Sequence, residues 1–398
     1  MKSNRLPNLL VFAVCAVMFA PGAARAVTYG VTDLTPYADG VGTLISAHVI
    51  SPDGQYIAGN VNVGGKYHAF RYHVGDAAIS DVNYGQQSYA TGVNNSGQVA
   101  GSYNDGDVGP NNDHLFINTP GSGTTLPPAY YPLQDISHAN SINADGHVAG
   151  TSLYQDNQGV WCSYLMYYDG TTVRNAAPGV SNKYGHDIDY YDINDSSSIV
   201  AHVGWGDGTS SGLLNSDDGL GGRVTTYPAF NPSGAGTNAL GINNSGQIIS
   251  VGWPALDDDR MHVFLWEPNF SSVQDVGRPA GADANPVAIN DNGWIVGNAM
   301  GGSAGWTFLA MDEGSGYVFH DLDDLLTPSD QAYWKITSIQ GLSETGHIIA
   351  TATHDFEFEH PVLLTPVPEP GTLALLLSAA GFLIAARKRG HSTFSLVT

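Results

Sequence analysis

Histidine and aspartate recur at fixed places in this chain. His68, His114, His262 and His360 each open or enter a short apolar run, and Asp81, Asp135, Asp275 and Asp321 each sit in an apolar-x-Asp-apolar step. Imidazoles and carboxylates are the pieces from which acid–base catalysis and metal sites are built. Metal binding would need several of these histidines to converge. A catalytic carboxylate pair acting on a glycosidic bond would need a separation of about 5–10 Å. Nothing in the spacing selects such a pair. The histidines are therefore expected to make structural hydrogen bonds, and the aspartates to serve as strand-end caps or turn acceptors.

Acidic loops are the other source of chemistry. Asn104-Asp105-Gly106-Asp107, followed by Asn111, Asn112 and Asp113, offers oxygen ligands in a glycine-rich loop. No cofactor is expected; Asp105, Asp107 and Asp113 are the candidate ligands should an ion be held, and calcium is the ion they would suit. The segment lacks the terminal glutamate of the twelve-residue calcium loop, so a solvated loop stands as the other reading. Asp187, Asp189, Asp192 and Asp195 form a second acidic cluster, and Asp257 to Asp259 a third. Tyr130, Tyr131, Tyr154, Tyr190, Tyr191, Trp205 and Trp253 lie near loops, where rings stack on sugars or cover contacts between units. Cys162, between Trp161 and Ser163, reads as a small buried hydrophobe, and no cofactor motif accompanies it. There is no Gly-x-Ser-x-Gly elbow, phosphate loop or His-Glu-x-x-His. The formal net charge of −23 repels nucleic acid and anionic polysaccharide and leaves divalent cations, cationic partners or plain solubility.

The elements that must position these residues are repeated. The 49 glycines and 13% charged residues, interleaved with Tyr, Phe and Val, read as strands and tight turns. A pattern of apolar, Asn or Ser, two variable residues, Gly, one variable residue, two apolar residues and a small one occurs seven times. Its turns carry Gly54, Gly97, Gly146, Ser197, Gly246, Gly293 and Gly346, at spacings of 43, 49, 51, 49, 47 and 53 residues. Each copy reads as a hairpin. Asn or Ser bonds its own backbone two residues on, and Gly takes the left-handed conformation that a bulged type I turn needs. Ser197 replaces that glycine, so its turn is expected to be strained or of another type. A third strand follows, as in His68-Ala69-Phe70-Arg71-Tyr72 and His262-Val263-Phe264-Leu265-Trp266. A fourth ends in apolar-x-Asp-apolar, as at Ile79–Val82, Leu133–Ile136, Val273–Val276 and Phe319–Leu322.

Four strands per unit and a period in the forties to low fifties predict an all-β, seven-bladed β-propeller. The last copy, ending at Pro361-Val362-Leu363-Leu364, lacks its own apolar-x-Asp-apolar strand. The missing strand lies near the start of the body as Val31-Thr32-Asp33-Leu34. Residues 29–34 are thus expected to complete the seventh blade and close the ring. The unit resembles the bacterial extracellular HAF repeat. His68-Ala69-Phe70 is intact, His114, His262 and His360 head altered copies, and Trp306 and Tyr164 depart from the step. The resemblance covers most of residues 44–365 and implies fold and compartment, not an activity.

The two ends read as address. Residues 1–26 have a basic start (Lys2, Arg5), an apolar core from Leu9 to Ala20 and a small-x-small site at Ala24-Arg25-Ala26, so a signal helix cleaved after Ala26 is expected. The body would span 27–365 and a proline-rich linker 366–371. An apolar helix over 372–386 is short for a full span, and a basic tail occupies 387–398. Val367-Pro368-Glu369-Pro370, the apolar stretch and Arg387-Lys388-Arg389 together resemble the PEP-CTERM sorting signal. Within that family the tail is held in the cytoplasmic membrane, then removed near the motif by an exosortase-type membrane protease. The resemblance implies transient insertion in the inner membrane and release to the surface or biofilm matrix of a Gram-negative cell. The tail Gly390 to Thr398 is longer than that family usually carries.

The expected function is that of a non-catalytic binding or structural propeller, exported and associated with the surface or matrix, with exopolysaccharide or matrix proteins as partners. A secreted polysaccharide-acting hydrolase or lyase and a calcium-dependent adhesin are the alternatives.

Overall fold

Alternation of apolar and small residues on either side of each Asn-x-x-Gly turn makes each repeat a hairpin with one face to pack on each neighbour. In a computed structural model these hairpins form seven four-stranded antiparallel sheets. The structure describes residues 27–367, apart from 105, 107–112, 129–135, 156–157, 179–187, 205–209, 218–221, 227–237, 255–259, 269–271, 302–305 and 356–357. The expected export segment with Ala24 and Ala26, Pro368, Glu369, Pro370, the apolar stretch and Arg387-Lys388-Arg389 lie outside the described residues, as do Asp105 and Asp107. Among the described residues, no helix is long and apolar enough to cross a membrane.

Blade 1 consists of β2 (Thr43–Ile50), β3 (Tyr56–Val63), β4 (Lys66–His73) and β5 (Ser80–Asp81), innermost to outermost. Blade 2 has β6 (Gln87–Val93), β7 (Val99–Asn104), β8 (Asp113–Thr119) and β9 (Gly123–Thr125). Blades 3 to 6 follow over 136–175, 188–226, 238–277 and 283–321. Blade 7 is made from both ends of the body. It holds β26 (Trp334–Leu342), β27 (Ile348–His354) and β28 (Glu359–Val367), with β1 (Thr28–Asp33) as the outermost strand. β1 runs antiparallel to β28 in the register Thr28↔Val367 to Asp33↔Val362, so closure by the N-terminal strand is observed. Pro366 and Val367, expected in the linker and sorting motif, belong to β28.

One strand expectation changes. The outermost strand of blade 2 is β9, not Leu133–Ile136. Residues 133–135 lie outside the described set, and Ile136 opens β10 (Ile136–Ile142), the innermost strand of blade 3. An apolar residue ahead of the next hairpin was indistinguishable in type from the end of a fourth strand. The Ser197 turn keeps the hydrogen bonding of its glycine counterparts, with Ser197 N donating to Asn194 O at 2.8 Å. It does so with Ser197 at φ +57°, a left-handed conformation that L-residues rarely take.

The core lies between blades. The third-strand aromatics Phe70, Phe116, Phe264 and Phe308 are all 1% exposed or less. Small residues on the second strand let the innermost strand come close: a Cβ on Gly101 would meet the Tyr89 carbonyl oxygen at 2.0 Å and the Phe116 ring at 2.7 Å. The small position of the repeat is therefore a demand of close packing. In the His-Ala-Phe step, Ala69 and Phe70 are core and His68 is tied to the outer strand.

Candidate functional site

Strand direction sorts the loops onto two faces. The Asn-x-x-Gly turns and the third-to-fourth-strand turns share one face, the turn face. The second-to-third-strand loops and the links between blades share the other, the loop face.

A cavity of about 200 Å³ lies on the ring axis, toward the turn face, and is lined by the innermost strands of all seven blades. Each innermost strand has a β-bulge two residues before the apolar residue of its turn, at 48, 91, 140, 191, 240, 287 and 340. A bulge turns an extra residue out of the ladder and sharpens the twist. Of these positions, Thr91, Asn140, Leu240, Val287 and Gln340 line the cavity. The bulges thus decide what the axis presents.

The turns fasten the blades to one another. Asn94 Nδ2 donates to the Asn143 carbonyl at 3.0 Å, Asn143 to Asn194 at 3.2 Å and Asn194 to Asn243 at 3.1 Å. Asn243 donates to Asn290 at 3.0 Å and Asn290 to Ser343 at 3.2 Å. Each Oδ1 meanwhile accepts from its own turn, as from Gln98 N at 3.1 Å and Gln247 N at 2.8 Å. Buried amides are satisfied at both ends, which is what a buried polar group requires. A second ring uses the next residue. Ala144 N donates to Asp195 at 2.9 Å, Asp195 N to Asn244 at 2.8 Å, Asn244 N to Asp291 at 2.7 Å and Asp291 N to Glu344 at 2.6 Å. Serines replace asparagine at Ser343 and Ser51. There the ring is completed by Glu344 N to the Pro52 carbonyl at 2.8 Å and Asp53 N to Asn95 Oδ1 at 2.9 Å.

Three acids, Asp192, Asp195 and Glu344, line the axial cavity. Burial pushes the Glu344 carboxyl up to about 7, and Asp291, Asp195 and Asp192 reinforce the rise while the Asp291 N–H opposes it. Burial likewise raises Asp192 to about 6, against hydrogen bonds from Ile242 N, Ser141 Oγ and Ile193 N. Of the acidic cluster expected at 187–195, Asp192 and Asp195 thus reach the axis.

Three of the four repeated histidines, His68, His262 and His360, meet an aspartate of the outermost strand, while Asp135 lies outside the described residues. His68 Nδ1 lies 2.8 Å from Asp81, and His262 Nδ1 lies 3.0 Å from Asp275, each joining a third strand to its fourth. Asp321 instead accepts from Asp323 N at 3.0 Å and caps its strand end. Cys162 is buried. The turn glycines Gly54, Gly97, Gly146, Gly246, Gly293 and Gly346 have φ between +69° and +83°. Asp113 accepts from Asn104 Nδ2 at 3.2 Å, and no group of three or more His, Cys, Asp or Glu side chains able to hold a metal occurs among the described residues. Sequence reasoning missed the inter-blade role of the asparagines and the bulges. The only available signal was the recurrence of Asn where Ser or Asp would cap a turn equally well.

No family model matches the sequence, and no curated protein matches it. Solved structures do resemble it. One is the β-propeller domain of the Trilobed protease from Pyrococcus furiosus, with an open velcro topology, at 7% identity over 86% of this chain and 98% of that one, TM-score 0.53. Another is an oligogalacturonate lyase in complex with manganese, at 13% identity over 88% and 99%, TM-score 0.52. A third is the oligogalacturonate lyase of Vibrio parahaemolyticus, at 12% identity over 88% and 99%, TM-score 0.53. At these identities the likeness is one of fold, and the fold of this chain is an all-β, seven-bladed β-propeller.

Proposed function

We propose that the chain is an exported propeller, associated with the cell surface or matrix, that binds its partner without converting it. The supporting observation is where the reactive side chains are used. The paired histidines and aspartates staple strands, and Asp195, Asp291 and Glu344 accept backbone hydrogen bonds from the neighbouring blade. A catalytic acid or base needs a proton route to substrate, and groups committed to structural donors serve that role poorly. The resemblance of the tail to the PEP-CTERM signal supports sorting by an exosortase-type protease and release outside the cytoplasm. The test pairs binding with turnover: the purified chain is incubated with defined glycans while reducing ends and unsaturated products are followed. Retention on a polymer without product is expected; product formation defeats the proposal.

One observation favours the second reading, a polysaccharide hydrolase or lyase. Glu344 lines an axial cavity and holds its proton near neutrality, as a general acid would. If product forms, loss of turnover in Glu344→Gln would select that reading.

A further inference from the structure

Among the described residues, every exposed tyrosine, tryptophan and phenylalanine lies on the loop face: Tyr67, Tyr84, Trp253, Tyr333 and Phe358. Exposed aliphatics occur on both faces, with Val224, Val318 and Val367 toward the turn face and Val160 and Met300 on the loop face. Exposed rings scattered singly are ordinary on a protein surface, whereas a contiguous group of them marks a surface that meets something. The densest group is at blades 1 and 2. Tyr67 packs on Tyr89 with ring centroids 5.6 Å apart, and Tyr84 stands edge-on to Tyr103 at 4.8 Å. Gln86 joins the two pairs. It follows the Tyr84-Gly85 turn, and its Oε1 accepts from Lys66 Nζ at 3.2 Å, next to Tyr67. Its backbone N–H donates to the Asn104 carbonyl at 2.8 Å.

We propose that this tyrosine–carboxamide patch on the loop face of blades 1 and 2 is the docking surface for an uncharged polysaccharide. The proposal rests on the binding reading above and adds the place and the ligand class. Tyrosine faces stack on the C–H faces of sugar rings, while phenolic and carboxamide groups exchange hydrogen bonds with hydroxyls. A chain with formal charge −23 disfavours a polyanion. A protein partner would be expected to use the larger exposed side chains elsewhere on the face, such as Phe358, at least as much as this hydroxyl-matched group.

The test is native affinity electrophoresis of the purified chain in gels containing hydroxyethyl cellulose, glucomannan or dextran. Retardation by at least one polymer is expected. Tyr67→Ala with Tyr84→Ala should weaken it about tenfold or more, Tyr67→Phe with Tyr84→Phe should retain most of it, and Val224→Ser on the opposite face should leave it unchanged. Equal retardation of the double alanine variant and the parent, with unchanged melting, overturns the assignment of the patch while leaving the binding reading intact. No retardation by any of the three polymers overturns the ligand class, and binding of a protein partner that requires Tyr67 and Tyr84 would assign the patch to that partner instead. Product formation would strike the binding reading itself.

Discussion

His360 Nδ1 lies 3.1 Å from a carboxylate oxygen of Asp33, across 327 residues of chain. It is the same contact that His68 makes with Asp81 and His262 with Asp275, each 13 residues apart. Blade 7 is therefore stapled like blades 1 and 5, with its fourth strand supplied by the other end of the body. Half-exposed pairs of this kind contribute little singly, about 0–1 kcal/mol. A double-mutant cycle on His360→Ala and Asp33→Ala should give a coupling of the same sign and size as one on His68→Ala and Asp81→Ala. Measurable coupling at the second pair with none at the first would mean that β1 is not held as the other fourth strands are.

The asparagine chain gives a sharper prediction. Asn243→Asp keeps the acceptor that serves Gln247 N but loses the donor that reaches the Asn290 carbonyl. It would place a carboxylate against that buried carbonyl. A loss of about 1–3 kcal/mol is expected in denaturant unfolding. Asn243→Ser, which can serve the turn alone, should cost less than Asn243→Asp. Wild-type stability in the aspartate variant would remove the asparagines from the clasp.

Ser197 separates backbone strain from side-chain bonding. Its φ of +57° disfavours any Cβ, while its Oγ is bonded by Asn143 Nδ2 at 3.1 Å and lies 2.8 Å from His147 Nδ1. Ser197→Ala keeps the strain and loses the bonds; Ser197→Gly loses both. The glycine variant should therefore melt higher than the alanine variant, by the equivalent of about 1 kcal/mol. The reverse order would show that this turn relaxes away from the left-handed conformation.

Stability should fall as pH rises toward neutrality. Glu344 and Asp192 bind their protons more tightly in the folded chain than in the unfolded one, where they titrate near 4.5 and 3.8. Below those values both states are protonated and the folded state keeps its full advantage. That advantage is lost between about 4.5 and 7 for Glu344 and between about 3.8 and 6 for Asp192. The melting temperature should thus drop between pH 5 and pH 8, and Glu344→Gln should flatten the drop. A profile unchanged by Glu344→Gln would mean that this carboxyl does not titrate between the blades.

The fold was largely readable from residue types because its demands are local. A left-handed glycine marks six of the seven turns and a self-bonding asparagine or serine opens each, and the ring closure followed from one missing apolar-x-Asp-apolar strand. Blade 2 shows where that reading stopped. Its outer strand, Gly123–Thr125, carries no aspartate and so no signature. The bulge positions hold His, Thr, Asn, Tyr, Leu, Val and Gln, so no residue type announces them. The second hydrogen bond of each asparagine depends on which turn stands beside it in space, which sequence spacing does not encode. The histidines and aspartates were visible as separate recurrences, and only the pairing of third and fourth strands makes them one feature.

Closure of the ring through β1 and β28 can be tested covalently. Gly30 and Thr365 are register partners, neither is buried, and a Cβ on Gly30 meets nothing nearer than 3.6 Å. Opposed residues of antiparallel strands lie within disulfide reach, at about 4.5–5.5 Å between Cα atoms. Gly30→Cys with Thr365→Cys, in a chain with Cys15→Ser and Cys162→Ala, should oxidise to a single disulfide seen as one crosslinked peptide by mass spectrometry. Reduction should then lower stability by roughly 2–5 kcal/mol. Two free thiols after oxidation of the folded protein would contradict a ring closed by its N-terminal strand.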